Sequence, residues 1–79
     1  MSMRRAGDYN GHNYRCWIEP LQGKYRAWFR GNLTIEIGEK NLVDRLHGST
    51  DWFEDKESAL DDAEARMHAR FDEVLAEIG

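Results

Sequence analysis

At 79 residues, with 33% charged side chains and a net charge of −4, the chain is long enough for one domain and too short for two cores. A mean hydropathy of −0.81 and no run near the ~20 apolar residues of a membrane span exclude a helical membrane protein. Cys16 stands alone, which excludes an internal disulfide and a thiolate metal cluster.

Residues 1–11 are polar and without period, and read as a flexible N-terminal arm ahead of a single α+β domain at 12–79. Met1 to Tyr14 also lacks the apolar centre of a signal peptide, so a cytoplasmic protein is expected.

From Tyr14 the pattern alternates. Tyr14, Cys16 and Ile18 point one way while Arg15, Trp17 and Glu19 point the other, the period of a half-buried strand. Pro20 to Gly23 reads as a four-residue turn. Tyr25, Ala27 and Phe29 then alternate against Lys24, Arg26, Trp28 and Arg30, giving a second strand. Placing Glu19 opposite Lys24 pairs Ile18 with Tyr25, Cys16 with Ala27 and Tyr14 with Phe29 on the inside. It pairs Trp17 with Arg26 and Arg15 with Trp28 on the outside.

Gly31 and Asn32 read as the next turn, and "LTIEIG" as a third strand pairing Ile35 with Phe29 and Ile37 with Ala27 through a three-residue loop. Residues 38–53 suit a helical turn or a short strand, with "STDWF" available as a fourth, edge strand ending at Phe53. The last stretch is the clearest. Asp55 has the chemistry of an N-cap, Glu57 suits the positive helix end, and Leu60, Ala63, Met67, Phe71, Val74, Leu75 and Ile78 recur at helical spacing. The fold expected is a three- or four-stranded antiparallel sheet packed on one C-terminal amphipathic helix.

Catalytic chemistry finds little support. No glycine-rich phosphate loop follows a strand, and His12, His47 and His68 lie in separate segments without metal-ligand spacing. Asp61, Asp62 and Glu64 read as a solvated acidic face rather than an acid–base pair. The expectation is a protein with no enzymatic activity, no cofactor and no bound metal.

The charge is unevenly placed. Residues 1–50 hold eight Lys and Arg against five Asp and Glu, or +3, while residues 51–79 hold three against ten, or −7. Sheet and helix therefore differ in sign. The outward set Arg15, Trp17, Lys24, Arg26, Trp28 and Arg30 combines planar cations with indoles. Such a face can stabilise its own sheet through cross-strand cation–π pairs, or bind a partner, since Arg and Trp are enriched in binding hot spots.

Over roughly residues 14–65, "YR", "GKYRAWFR" and "FEDKESALDDA" resemble the three-stranded sheet plus helix of ethylene-response-factor and integrase-type DNA-binding domains. That resemblance implies a sheet that reads a major groove through Arg15, Arg26, Trp28 and Arg30. The stretches "YRCWIEP", "GKYRAWF" and "ESALDDA" also resemble HicB-type antitoxin domains, which implies a protein partner. The function expected is binding or regulation through the Arg/Trp face or the acidic helix. A protein partner of adaptor, antitoxin or inhibitor type comes first and nucleic acid second. Homodimers through an edge strand or the tryptophans are also open.

Overall fold

Four strands in meander order and one helix make up the computed structural model, which describes residues 4–37 and 40–78, with side chains described over 4–33 and 45–77. Strands β1 (Arg4–Tyr9), β2 (His12–Leu21), β3 (Lys24–Ile37) and β4 (Lys40–Ser49) form one antiparallel sheet in the order β1-β2-β3-β4. Helix α1 (Lys56–Ile78) covers one face, so the molecule is an α+β fold of the expected layering. Among the described residues no helix is long and apolar enough to cross a membrane.

The N-terminal segment read as an arm is instead an edge strand from Arg4 onward. Its connection to β2 is Asn10-Gly11, at φ 51° and 83°. Two consecutive residues at positive φ make a tight hairpin whose twist matches the strands, and Asn-Gly is the dipeptide that adopts it most readily. The fourth strand is therefore at the N-terminus. "STDWF" contributes Ser49 to β4, two hydrogen bonds between Thr50 and Ala27, and an isolated bridge from Phe53 to Tyr25.

The β2–β3 turn follows the same rule. Gln22 and Gly23, at φ 50° and 78°, close a two-residue hairpin that sets Leu21 opposite Lys24. The register thus differs from the expected one by two residues. Glu19 faces Arg26, Trp17 faces Trp28 and Arg15 faces Arg30, while Ile18 faces Ala27 and Cys16 faces Phe29. A shift of two leaves every side chain on the face the alternation assigned to it. Only the pairings change.

Gly31 is not a turn. β3 runs straight through it, opposite Tyr14 on one side and Leu46 on the other, and "LTIEI" continues the same strand. The expected partners of Ile35 and Ile37 are replaced by Leu42 and Lys40, and Phe29 pairs with Gly48. The β3–β4 connection at 38–39 lies outside the described residues. Gly31 is glycine because the helix sits on it: a Cβ there would lie 2.6 Å from Phe71 Cζ and 3.0 Å from Met67 Sδ.

The core fills the space between sheet and helix. Tyr14, Cys16 and Ile18 of β2, Ala27, Phe29 and Leu33 of β3, and Leu46 of β4 meet Ala59, Leu60, Ala63, Met67 and Phe71 of α1. Val74 and Leu75 are half-buried at its margin. The helix begins as expected: Asp55 Oδ1 accepts from Ser58 N at 2.8 Å, and Oδ2 accepts from the Ser58 hydroxyl at 2.8 Å. Backbone and side-chain donors from Ser58 hold the Asp55 carboxyl below its usual range.

Candidate partner-binding face

The sheet face away from the helix collects alternate residues of all four strands in transverse rows. One row runs Arg4, Trp17, Trp28, Ser49, and the next Ala6, Arg15, Arg30, His47. Beyond them Asp8 faces Asn13, and Asn32 faces Arg45. Toward the β2–β3 turn lie Glu19 opposite Arg26, then Leu21 opposite Lys24. All six residues expected on this face are there, and Arg45, His47, Asn13 and Asn32 join them.

The turn-side end is closed on itself. Glu19 Oε1 accepts from Arg26 Nε at 2.9 Å, from a second Arg26 nitrogen, and from Trp28 Nε1 at 3.2 Å. The Arg26 guanidinium also lies 4.7 Å from the Trp28 ring centre and 4.6 Å from that of Trp52. Arg26 first, and Trp28 second, hold the Glu19 carboxyl below its ordinary range. Arg26 therefore spends its charge on one carboxylate and its planar faces on indoles. Lys24 pairs with Glu54 at 3.6 Å rather than with Glu19. Trp52 brings in a residue that β-strand alternation does not place on this face, because it sits in the irregular link between β4 and α1.

The other end is open. Arg15 stands directly opposite Arg30, and both are exposed. Arg45 lies one row further along β4, also exposed. None of the three has a carboxylate partner among the described residues. Arg5, Arg26, Arg66 and Arg70 each have at least one. A shallow groove crosses this end, lined by Asp8, Asn13, Arg15, Arg30, Asn32 and Arg45. It adjoins a second along Arg4, Ala6, Arg15, Trp17 and Arg30. Trp17 is 39% exposed there.

The helix side holds a polar cluster that the sequence reading placed in solvent. Glu64 is half-buried: Oε1 accepts from Arg5 at 2.5 Å and Oε2 from the Tyr14 hydroxyl at 2.6 Å. Arg5 also reaches Asp61 at 2.6 Å, and the Tyr9 hydroxyl donates to Asp72 at 2.9 Å. Burial pushes the Glu64 carboxyl up, but hydrogen bonds from Tyr14 and Arg5, with the nearby charges of Arg5 and His68, outweigh it and leave it below the ordinary value. His68 stacks on Tyr9 at 4.2 Å and meets Tyr14 edge-on at 5.5 Å, with its buried Nε2 unpartnered. These contacts tie β1 to the helix. The signal for them is Arg5, Gly7 and Tyr9 alternating behind the Asn10-Gly11 turn.

Cys16 is buried, and burial first, then the Glu64 charge, pushes its thiol up to about 11. Among the described residues no group of three or more His, Cys, Asp or Glu is placed to hold a metal ion. No family model, curated protein or solved structure matches the chain.

Proposed function

We propose that this is a noncatalytic binding protein, of adaptor, antitoxin or inhibitor type, that holds a protein partner against the outer face of its sheet. The observation that carries this is Arg15 opposite Arg30 with neither in an ion pair among the described residues. Like charges directly opposite on a sheet are destabilising. Threonine at either position would suit the strand better. An anionic group seated between the two guanidiniums reverses the sign of that interaction, and Arg is the side chain best shaped to grip a carboxylate. The noncatalytic reading is supported by the acidic side chains of α1, where Asp61, Asp62 and Glu64 are each engaged by an arginine.

The test is photo-crosslinking in cells of the source organism from benzoylphenylalanine at position 17, on the face, and at position 69, on the helix. Protein adducts from position 17 that disappear with Arg30→Ala, and are missing from position 69, are expected. Equal adducts from both positions would reject the face.

Nucleic acid is the second reading. It is favoured by the exposed Trp17 indole beside Arg15, a pairing of stacking surface and phosphate ligand. Fluorescence anisotropy against mixed duplex and single-stranded oligonucleotides, at low and moderate salt, tests it; absence of saturable binding at low salt removes it.

A further inference from the structure

Resting on the binding role of this face, we propose that its open end is a groove for an extended acidic peptide segment of the partner, with carboxylates on alternate residues. Arg15 and Arg30 bracket one carboxylate and Arg45 takes the next. The residues that carry this are Arg15, Arg30, Arg45, Asn13 and Asn32, bounded by Asp8 and Glu19.

Spacing is the first argument. Arg15 and Arg30 are a directly opposed cross-strand pair, so their Cβ atoms stand about 5 Å apart, within reach of one bridging carboxylate. Arg45 lies one row on from the pair: it is two residues from His47, which faces Arg30. Arg45 is thus the diagonal neighbour of Arg30 on the next strand, about 7–8 Å away, and side chains at i and i+2 of any extended peptide share a face at nearly that interval, about 6.6 Å. A contiguous acidic run would turn every second carboxylate away.

The boundary is the second. Asp8 lines the groove at one margin, and Glu19, already holding Arg26, closes the other end of the face. The Asp8 row and the Glu19 row stand six residues apart on β2, about 20 Å, with two rows between them. A polynucleotide backbone would run past that interval onto a carboxylate, and affinity for such a backbone grows with the number of phosphates neutralised. A short acidic segment fits inside the limits. Asn13 and Asn32, side by side with the arginines, carry both donor and acceptor groups able to pair with the peptide's main chain.

The experiment measures anisotropy of fluorescein-labelled Gly-Val-Glu-Val-Glu-Val-Gly with the full chain, beside two competitors: Gly-Val-Glu-Glu-Val-Val-Gly, whose adjacent carboxylates point to opposite faces of an extended chain, and a twelve-residue oligothymidylate. Saturable binding of the alternating peptide is expected, weakened roughly tenfold by Arg30→Ala and by Arg45→Ala, as loss of a charge-assisted pair implies. Arg70→Ala, on the helix and paired with Glu73, should leave it unchanged. Circular dichroism of each variant shows whether the fold is kept. Equal affinity for the contiguous peptide overturns the spacing. Tighter binding of the oligothymidylate overturns the peptide as occupant. If no peptide binds while crosslinks from position 17 still require Arg30, the inference fails alone; if those crosslinks are lost too, the face itself is rejected.

Discussion

Tyr14 and Glu64 are joined across the sheet–helix interface by a 2.6 Å hydrogen bond, with Arg5 of the edge strand on the carboxylate's other oxygen. Three elements meet at that carboxylate, and its ionisation is linked to stability. The Glu64 value is depressed in the fold, so its contribution is present above the ordinary Glu range and lost as pH falls through the lowered folded value. Tyr14 is raised to about 12, by burial first and the Glu64 bond second, so its contribution holds below the ordinary phenol range and is lost as pH rises through 12. Thermal melts should show a plateau with an acid limb below about pH 4.5, near the ordinary glutamate value. Glu64→Gln should flatten that limb and lower stability at pH 7 by about 1–2 kcal/mol.

Gly31→Ala should destabilise the protein by about 1–3 kcal/mol, because overpacking a filled core forces side chains off their rotamers. The added Cβ meets Phe71 and Met67, both fully buried and without room to retreat. A melting point lower by roughly 4–8 °C per kcal/mol is the expected reading. An unchanged melting point would mean the helix can shift off the strand.

The two ends of the outer face should respond differently to truncation. Arg26→Ala removes two of the three donors on Glu19 and the cation from two indoles, and should cost about 1 kcal/mol once exposure is allowed for. Arg30→Ala removes one member of a like-charged pair and should leave stability within about 0.5 kcal/mol or raise it slightly. Urea titration of the two variants compares them directly. A larger loss at Arg30 would make it structural and weaken the binding proposal.

Cys16 should resist labelling. With its thiol pushed up to about 11 and its side chain enclosed, little thiolate exists at neutral pH. Reaction with a disulfide reagent should be slow in buffer and immediate in denaturing urea, at a rate that tracks local opening. Fast reaction of the native protein would show that β2 opens readily.

His68→Phe should be neutral or stabilising, since the buried Nε2 has no hydrogen-bond partner while the ring stacks on Tyr9. Replacing the unsatisfied ring nitrogen by carbon removes a desolvation cost of about 1 kcal/mol or more, which offsets the larger phenyl ring and the lost charge near Glu64. Thermal melts of the variant against the parent chain are the measure. A clear loss of stability would mean that the imidazole has a role its contacts do not display.

The direction in which side chains point was legible in the order of the residues. Alternation placed Tyr14, Cys16, Ile18 and Phe29 inward and Arg15, Trp17, Trp28 and Arg30 outward, and helical spacing placed Leu60, Ala63, Met67 and Phe71 on the sheet, because burial has a period the backbone imposes. Asn10-Gly11 also carried a hairpin in plain view. Which residues oppose one another was decided only in three dimensions. A two-residue change of register leaves the pattern untouched, yet it moves Arg15 from Trp28 to Arg30 and so converts a cation–π pair into an unneutralised one. Gly31 as a seat for the helix, Trp52 closing over Arg26, and Glu64 gathering Arg5 and Tyr14 likewise depend on contacts between segments far apart in the chain. Local periodicity carries no information about such contacts.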